Sequence, residues 1–349
     1  MSSASVSSAR VFSPSAGGRG YWIHSRQWDM VFIILSAALI YFPLALNRYL
    51  GVSRLYVAFL ITVLVGGPHM YSTFTRTLLE KNFVRRHKRI MLITLLIPVF
   101  VVTLGLNSFI LLLTFFFFWA SIHVLHQIIY LVDCYNHKVS EQLSLKNRLI
   151  DYAVVMTSLY PIAFYRMVQG TFTIGQRKLM VPEFVLGDWL WITASVAYGV
   201  SLILFTAKTI KEWRQGTIIW PKVLLIYITA VAAFLVPTFH DLDVAFQGLN
   251  TWHSFQYLGL TWYINKLRRE RREISSSLVD RISSSPLGFY GMMVLVTLMA
   301  GLIIVFLWKV VGLEYEQCYY ITVLSFLLMH YLHDHILFTD TDVLIGRPV

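Results

Sequence analysis

The chain reads as an all-α, polytopic transmembrane helical bundle of about ten spans with both termini cytoplasmic. Three observations lead there. Only 13% of its 349 residues are charged while 57% are hydrophobic. Apolar stretches of bilayer length follow one another along the sequence, and Lys and Arg gather in the short segments between them. A soluble domain carries about 25% charged residues, so this chain cannot cover a water-facing surface.

A helix crossing the bilayer needs about 20 mostly apolar residues. Segments of that kind run approximately over 29–47, 55–79, 90–107, 109–132, 149–167, 187–207, 220–243, 247–266, 287–311 and 318–338. The third and fourth meet in a tight connection at Asn107 and Ser108, and Gly248 is a plausible turning point between the seventh and eighth. Residues 1–27, rich in Ser, Gly and Arg, have no apolar core and read as a disordered cytoplasmic tail rather than a cleaved signal. Residues 28–338 form the bundle and 339–349 a second cytoplasmic tail.

Loops 80–89, 133–148, 208–219 and 267–286 hold most of the Lys and Arg and alternate with less basic ones, as cytoplasmic loops do. Segment 166–186, with Arg166, Arg177 and Lys178, is the exception, and the facing segment 312–317 carries Glu314 and Glu316. The net charge of +11 therefore points to anionic lipid headgroups and not to nucleic acid. The expected location is the inner (plasma) membrane of a bacterium. Cys134 and Cys318 are too few for a disulfide framework or a thiolate metal site.

Eleven histidines are present. His24, His87 and His137 fall in the tail or basic loops. The other eight, His69, His123, His126, His240, His253, His330, His333 and His335, fall in or beside apolar segments. Ionisable groups in a membrane are costly and point to function. The second, fourth, eighth and tenth spans run in the same direction. At 1.5 Å per residue, His69, His126, His253 and His330 differ in depth by at most roughly 9 Å. They can converge. His123 and His126 share a helix face, as do His330 and Asp334. In "GGPHMY", Gly66, Gly67 and Pro68 interrupt a helix just before His69, which re-aims a ligand or lets helices pack closely. Pro237 precedes His240 in the same way.

Imidazole suits Fe, Zn, Cu and Ni, and a ligating ring usually donates its second N–H to a carboxylate or carbonyl. The expected ligands are His69, His123, His126, His253 and His330, with His240 and His333 for a second ion. Asp243 and Asp334 serve as ligands or as acceptors behind them, and as the catalytic carboxylates. Histidines scattered over several membrane helices, here in "HVLH" (123–126) and "HYLHDH" (330–335), resemble the integral-membrane polyhistidine non-haem iron oxygenases. That group comprises desaturases, hydroxylases and Brp/Blh-type carotenoid-cleaving dioxygenases. The resemblance implies one or two Fe ions, O₂ as co-substrate, an apolar, lipid-like or isoprenoid substrate, and an electron-donor protein as partner besides the bilayer. The same His and Asp set would also serve a metal-ion or proton-coupled transporter, a bis-His haem carrier, or hydrogen bonding between helices.

Overall fold

The computed structural model describes residues 21–139, 144–174, 177–239 and 242–345. Helices dominate, and the strands among these residues are a two-residue antiparallel pair, β1 (Thr173–Ile174) and β2 (Arg177–Lys178). The long helices are α1 (Arg26–Arg48), α2 (Arg54–Thr75), α3 (Lys88–Asn107) and α4 (Phe109–Val139). The chain continues through α5 (Leu145–Thr157), α6 (Tyr160–Val168), α7 (Asp188–Arg214) and α8 (Trp220–Leu235). It ends with α9 (Leu242–Glu270), α10 (Pro286–Phe306) and α11 (Tyr315–Leu337).

Seven of these segments are long and apolar enough to cross a membrane: α1, α2, α3, α4, α7, α8 with its 3₁₀ extension to Thr238, and α10 with its extension to Val311. Three of the expected ten are not among them, for two reasons. Segment 149–167 is broken at Ser158 and Leu159 into α5 and α6, with Pro161 in the first turn of the second piece. Helices α9 and α11 have the length but carry polar side chains, including three of the buried histidines.

The expected connection at Ser108 is present: its N–H bonds back to Leu104 while its carbonyl accepts from Leu112 in the next helix. Gly248 is not the turning point. It lies inside α9, where a Cβ would stand 2.4 Å from the Ile40 carbonyl oxygen, so its role is close packing of α1 on α9. The seventh helical segment instead stops at Thr238 and α9 begins at Leu242.

Helix α9 is the axis of the bundle. It packs on α1, α2, α4 and α10, and its buried residues run round the whole circumference, from Val244 and Ala245 to Ile264 and Asn265. The most apolar helix, α10, is the outermost: only 6% of its apolar window is buried. Polarity is thus inverted relative to a water-soluble bundle, with the polar groups drawn inward.

Both described ends of the chain lie at the same end of the bundle, beside the C-terminal end of α4. Tyr135 donates to Asp29 (2.8 Å), Lys138 to the Ile23 carbonyl (2.8 Å) and Tyr130 to the Asp340 carbonyl (3.1 Å). Residues 21–25 and the final turn Asp342–Ile345 are packed there, Val343 and Leu344 being buried. The expected tails therefore begin as ordered structure where they meet the bundle, while residues 1–20 and 346–349 lie outside the described residues. At the other end, Arg177 bonds Glu316 (3.0 Å) and Glu314 (3.3 Å). The basic exception in segment 166–186 is thus matched by the acidic loop before α11.

Candidate metal centre

Helix α2 is regular from Arg54 to Ile61, widens to a π turn over Thr62–Gly66, and resumes at Gly67. Pro68 lacks the N–H that an unbroken ladder would need, and a π turn inside an α-helix frequently marks a functional site. Gly67 also packs closely, a Cβ there falling 2.3 Å from Thr297 of α10. Both readings of the Gly-Gly-Pro interruption hold together. The turn delivers His69 to the centre of the bundle.

There it meets His123 from α4, His253 from α9 and His330 from α11. All four, with Asp334, are between 0% and 4% exposed. Their rings form a closed circuit. Centroids are 4.7 Å apart for His69 and His330, and 4.9 Å for His330 and His123. They are 4.9 Å apart for His123 and His253, and 5.1 Å for His253 and His69. The His253–His330 diagonal is 6.5 Å. An ion bound at about 2.1 Å from an imidazole nitrogen lies about 3.2 Å from the ring centre, so adjacent rings around one ion stand about 4.5–5.2 Å apart and opposite rings about 6.4 Å. The four rings are spaced for a cation between them.

Their polar atoms say the same. Nε2 of His69, His123 and His330, both nitrogens of His253, and Oδ2 of Asp334 are buried without a hydrogen-bond partner. Orphaned buried polar atoms are rare because each costs desolvation free energy of about 1–3 kcal/mol. Here six of them share one locus. The potential ligand atoms of His69, His253 and His330 lie within 4.8 Å of one another, and so do those of His123, His330 and Asp334. Asp334 Oδ2 is 3.5 Å from His330 Nδ1 and 3.8 Å from His123 Nε2.

Hydrogen bonds behind the rings fix their tautomers. Ser254 Oγ donates its proton to Asn250 (3.2 Å), so the His69 Nδ1–H, 2.8 Å away, must be the donor to Ser254. Thr73 Oγ1 gives its proton to Asp334 Oδ1 (3.1 Å), so it receives the His330 Nδ1–H (2.6 Å). Tyr257 donates to the same carboxylate oxygen (2.6 Å). With Nδ1 protonated in both rings, the Nε2 lone pairs of His69 and His330 are free for a cation, the arrangement seen when an outer hydrogen bond orients a ligating imidazole.

The remaining expected residues stand elsewhere. His333 is buried but occupied on both nitrogens, by Thr77 (3.0 Å) and Thr94 (2.9 Å), and ties α11 to the turn after α2 and to α3. His126 is half-buried and faces His335 (5.2 Å between ring centres), outside the four-ring circuit. Asp243 opens α9 ten residues before His253, about 15 Å along the helix, and pairs with Arg54 (3.7 Å). His240 lies outside the described residues. Thr73 and Ser254 are not among the residues expected from the sequence, and Tyr257, one of the aromatics near the candidate ligands, bonds Asp334 rather than only lining an apolar pocket. Their spacing was a usable signal: Thr73 follows His69 and Tyr257 follows His253 by four residues, and Ser254 adjoins His253. Gln127 and Gln256, beside the ligating helix faces, bond each other (3.1 Å) and the carbonyls of His253 and Ile33.

A small cavity of about 80 Å³ reaches His69 from the side opposite the basic loops, lined by Thr62, Asn250, Gln247, Tyr319 and Tyr331 among others. Of the four rings, His69 is the one that lines this cavity. Compared with known proteins, the chain matches no family model, and neither the curated proteins nor the solved structures give a significant match.

Proposed function

We propose that the chain is an integral-membrane metalloenzyme whose polyhistidine centre binds iron and, with O₂, oxidises a lipid-like or isoprenoid substrate by hydroxylation, desaturation or C=C cleavage. The observation that supports this reading is the gathering of partnerless imidazole nitrogens and the free Asp334 oxygen in two overlapping buried groups of possible ligands that share His330. Imidazole with carboxylate is a donor set that suits iron. A purely structural zinc site is closed by four ligands, whereas this locus offers a fifth donor and a cavity leading to His69. Iron held there supplies one-electron and O₂ chemistry.

The chain's own residues do the rest. His69, His123, His253 and His330 hold the ion, one or two depending on how the overlapping sets are filled. Asp334 balances its charge. Ser254, Thr73 and Tyr257 lock the rings and the carboxylate in place. The apolar walls keep water from the centre, and O₂ reaches it through hydrocarbon, in which it dissolves well. In this reading α5–α6, α9 and α11 complete a ten-span topology, both termini and the basic loops are cytoplasmic, and the membrane is a bacterial inner membrane. An electron-donor protein docks on that basic face.

Elemental analysis of detergent-purified protein tests the proposal, with about one to two Fe per chain expected. Zinc as the sole bound metal, or no metal, overturns it. Metal that is lost on dialysis and crosses proteoliposomes carrying the protein would make the chain a transporter instead.

A further inference from the structure

The cavity at His69 is the inner end of something larger. A groove of about 880 Å³ runs along α2, α10 and α11 and shares Thr62, Gly67, Met70, Gln247, Tyr319 and Val323 with the inner cavity. Its volume is that of a site for a drug-sized or lipid-sized ligand. It opens on the flank of the bundle rather than at an end: Phe59, Leu298, Leu302 and Val305, which line it, are 49–58% exposed. In a bilayer that flank faces acyl chains.

The groove's polarity is graded. The flank is apolar. The deep end carries hydroxyl and amide groups: Thr62 Oγ1 bonds the Tyr319 hydroxyl (2.8 Å) and Asn250 Nδ2 donates to Gln247 (3.3 Å). From Asn250 the hydrogen bonds continue through Ser254 (3.2 Å) to His69 (2.8 Å). The charged side chains among the groove's described lining residues are Arg54, Asp243 and Glu316. Arg54 pairs with Asp243 (3.7 Å) and Glu316 with Arg177 (3.0 Å). The charges are matched within the protein, so a charged head would be buried against no counter-charge, at a cost larger than any hydrogen bond there repays.

We propose that the groove binds a neutral single-chain amphiphile that slides in from the bilayer between α2 and α10–α11. Its hydroxyl or carbonyl end lies against Asn250, Gln247, Thr62 and Tyr319, and its chain lies along the groove. This deepens the reading of the centre as an oxidase of lipid-like molecules and rests on it for calling the occupant a substrate. The polar end being innermost, the carbon presented to the centre is one near the head, not the chain terminus.

Gly301 makes the test clean. It lines the groove and a Cβ there meets nothing within 4 Å, so the side chain of Gly301→Trp starts from open space and can occupy the groove, on a helix that carries none of the histidines. Binding of radiolabelled oleyl alcohol, oleate and oleylamine to the detergent-purified full chain is measured, with metal content read on the same samples. Oleyl alcohol is expected to bind at least about ten-fold more tightly than either charged probe. Gly301→Trp should weaken it about ten-fold or more by steric exclusion with metal content unchanged, and Asn250→Ala should erase much of the preference for the alcohol over a plain C18 alkene. Equal or tighter binding of oleate or oleylamine, or full alcohol binding in Gly301→Trp, overturns the proposal. Protein that selects the alcohol but holds no metal keeps the groove and loses the iron; protein that holds iron without the selectivity does the reverse.

Discussion

His330 belongs to both candidate ligand sets, and its Nδ1–H is spent on Thr73, leaving Nε2 with no partner except a cation. Removing it should therefore empty the centre. Metal analysis is expected to show near-complete loss in His330→Ala and strong loss in His69→Ala, His123→Ala and His253→Ala. His126→Ala and His333→Ala should keep the metal of the unaltered chain, because the first lies outside the circuit and the second is satisfied by threonines. Thr73→Val keeps the shape and removes the hydroxyl on which His330, Asp334 and Tyr257 converge. Loss of such an outer partner costs about 10–100-fold in metal affinity, measurable by competition with a chelator. Retention of unaltered affinity would mean that Thr73 does not set the tautomer. At this scale the sequence was partly legible. Buried histidines announce themselves because lipid tolerates so few ionisable groups. Which of them point at one another was not, since His333 and His330 share a helix and a similar burial and differ in that threonines hold both nitrogens of His333 and only Nδ1 of His330.

Helices carry the next layer, where the break between α8 and α9 falls earlier than the expected turn at Gly248. An apolar run of bilayer length is easy to see when a helix lies on the outside, as α10 does. Helix α9 sits in the centre and spends its surface on His253, Gln256, Tyr257, Thr261 and Asn265, so its ends cannot be found from hydropathy. Gly248 looked like a turn because glycine breaks helices in water. In a bundle it equally permits backbone contact, and the Ile40 carbonyl occupies the place of its missing side chain. Gly248→Val should force α1 away from α9 and destabilise the fold by about 1–3 kcal/mol, seen as a lower unfolding midpoint in detergent; an unchanged midpoint would show that α1 moves freely. Helices α5, α7 and α8 are tied by a buried ionic knot. Asp151 takes Lys208 on one oxygen and Lys222 on the other (3.2 Å), and Lys222 also bonds Asn136 (3.0 Å). In Asp151→Asn, Lys208 keeps Glu212 (3.5 Å) while Lys222 keeps only neutral Asn136. Stranding a buried charge in this way costs about 3–5 kcal/mol, so this variant is expected to be poorly expressed and heat-labile, with partial recovery when Lys222→Met is added.

Over the whole molecule, the inverted polarity follows from one constraint: in hydrocarbon, polar groups must find partners inside the protein. Arg268 bonds Glu80 (3.2 Å) and Arg271 the Val343 carbonyl (3.1 Å) on the basic side, while Arg177 with Glu314 and Glu316 marks the opposite side. In the proposed topology the first side is cytoplasmic, the placement that the positive-inside rule expects. The native cysteines, Cys134 and Cys318, are both buried, so single cysteines added at exposed positions give a readable label on a quiet background. Phe184 stands 83% exposed in the segment on the Arg177 side, and Arg86 is exposed on the basic side. A membrane-impermeant maleimide applied to intact spheroplasts is expected to label Phe184→Cys at once and Arg86→Cys only after permeabilisation. The converse pattern would turn the bundle over, placing the Arg54–Asp243 pair on the cytoplasmic side and the face assigned to an electron donor outside. The four-histidine circuit would be untouched by that result, because it is held by contacts within the bundle and not by the direction in which the bundle was inserted.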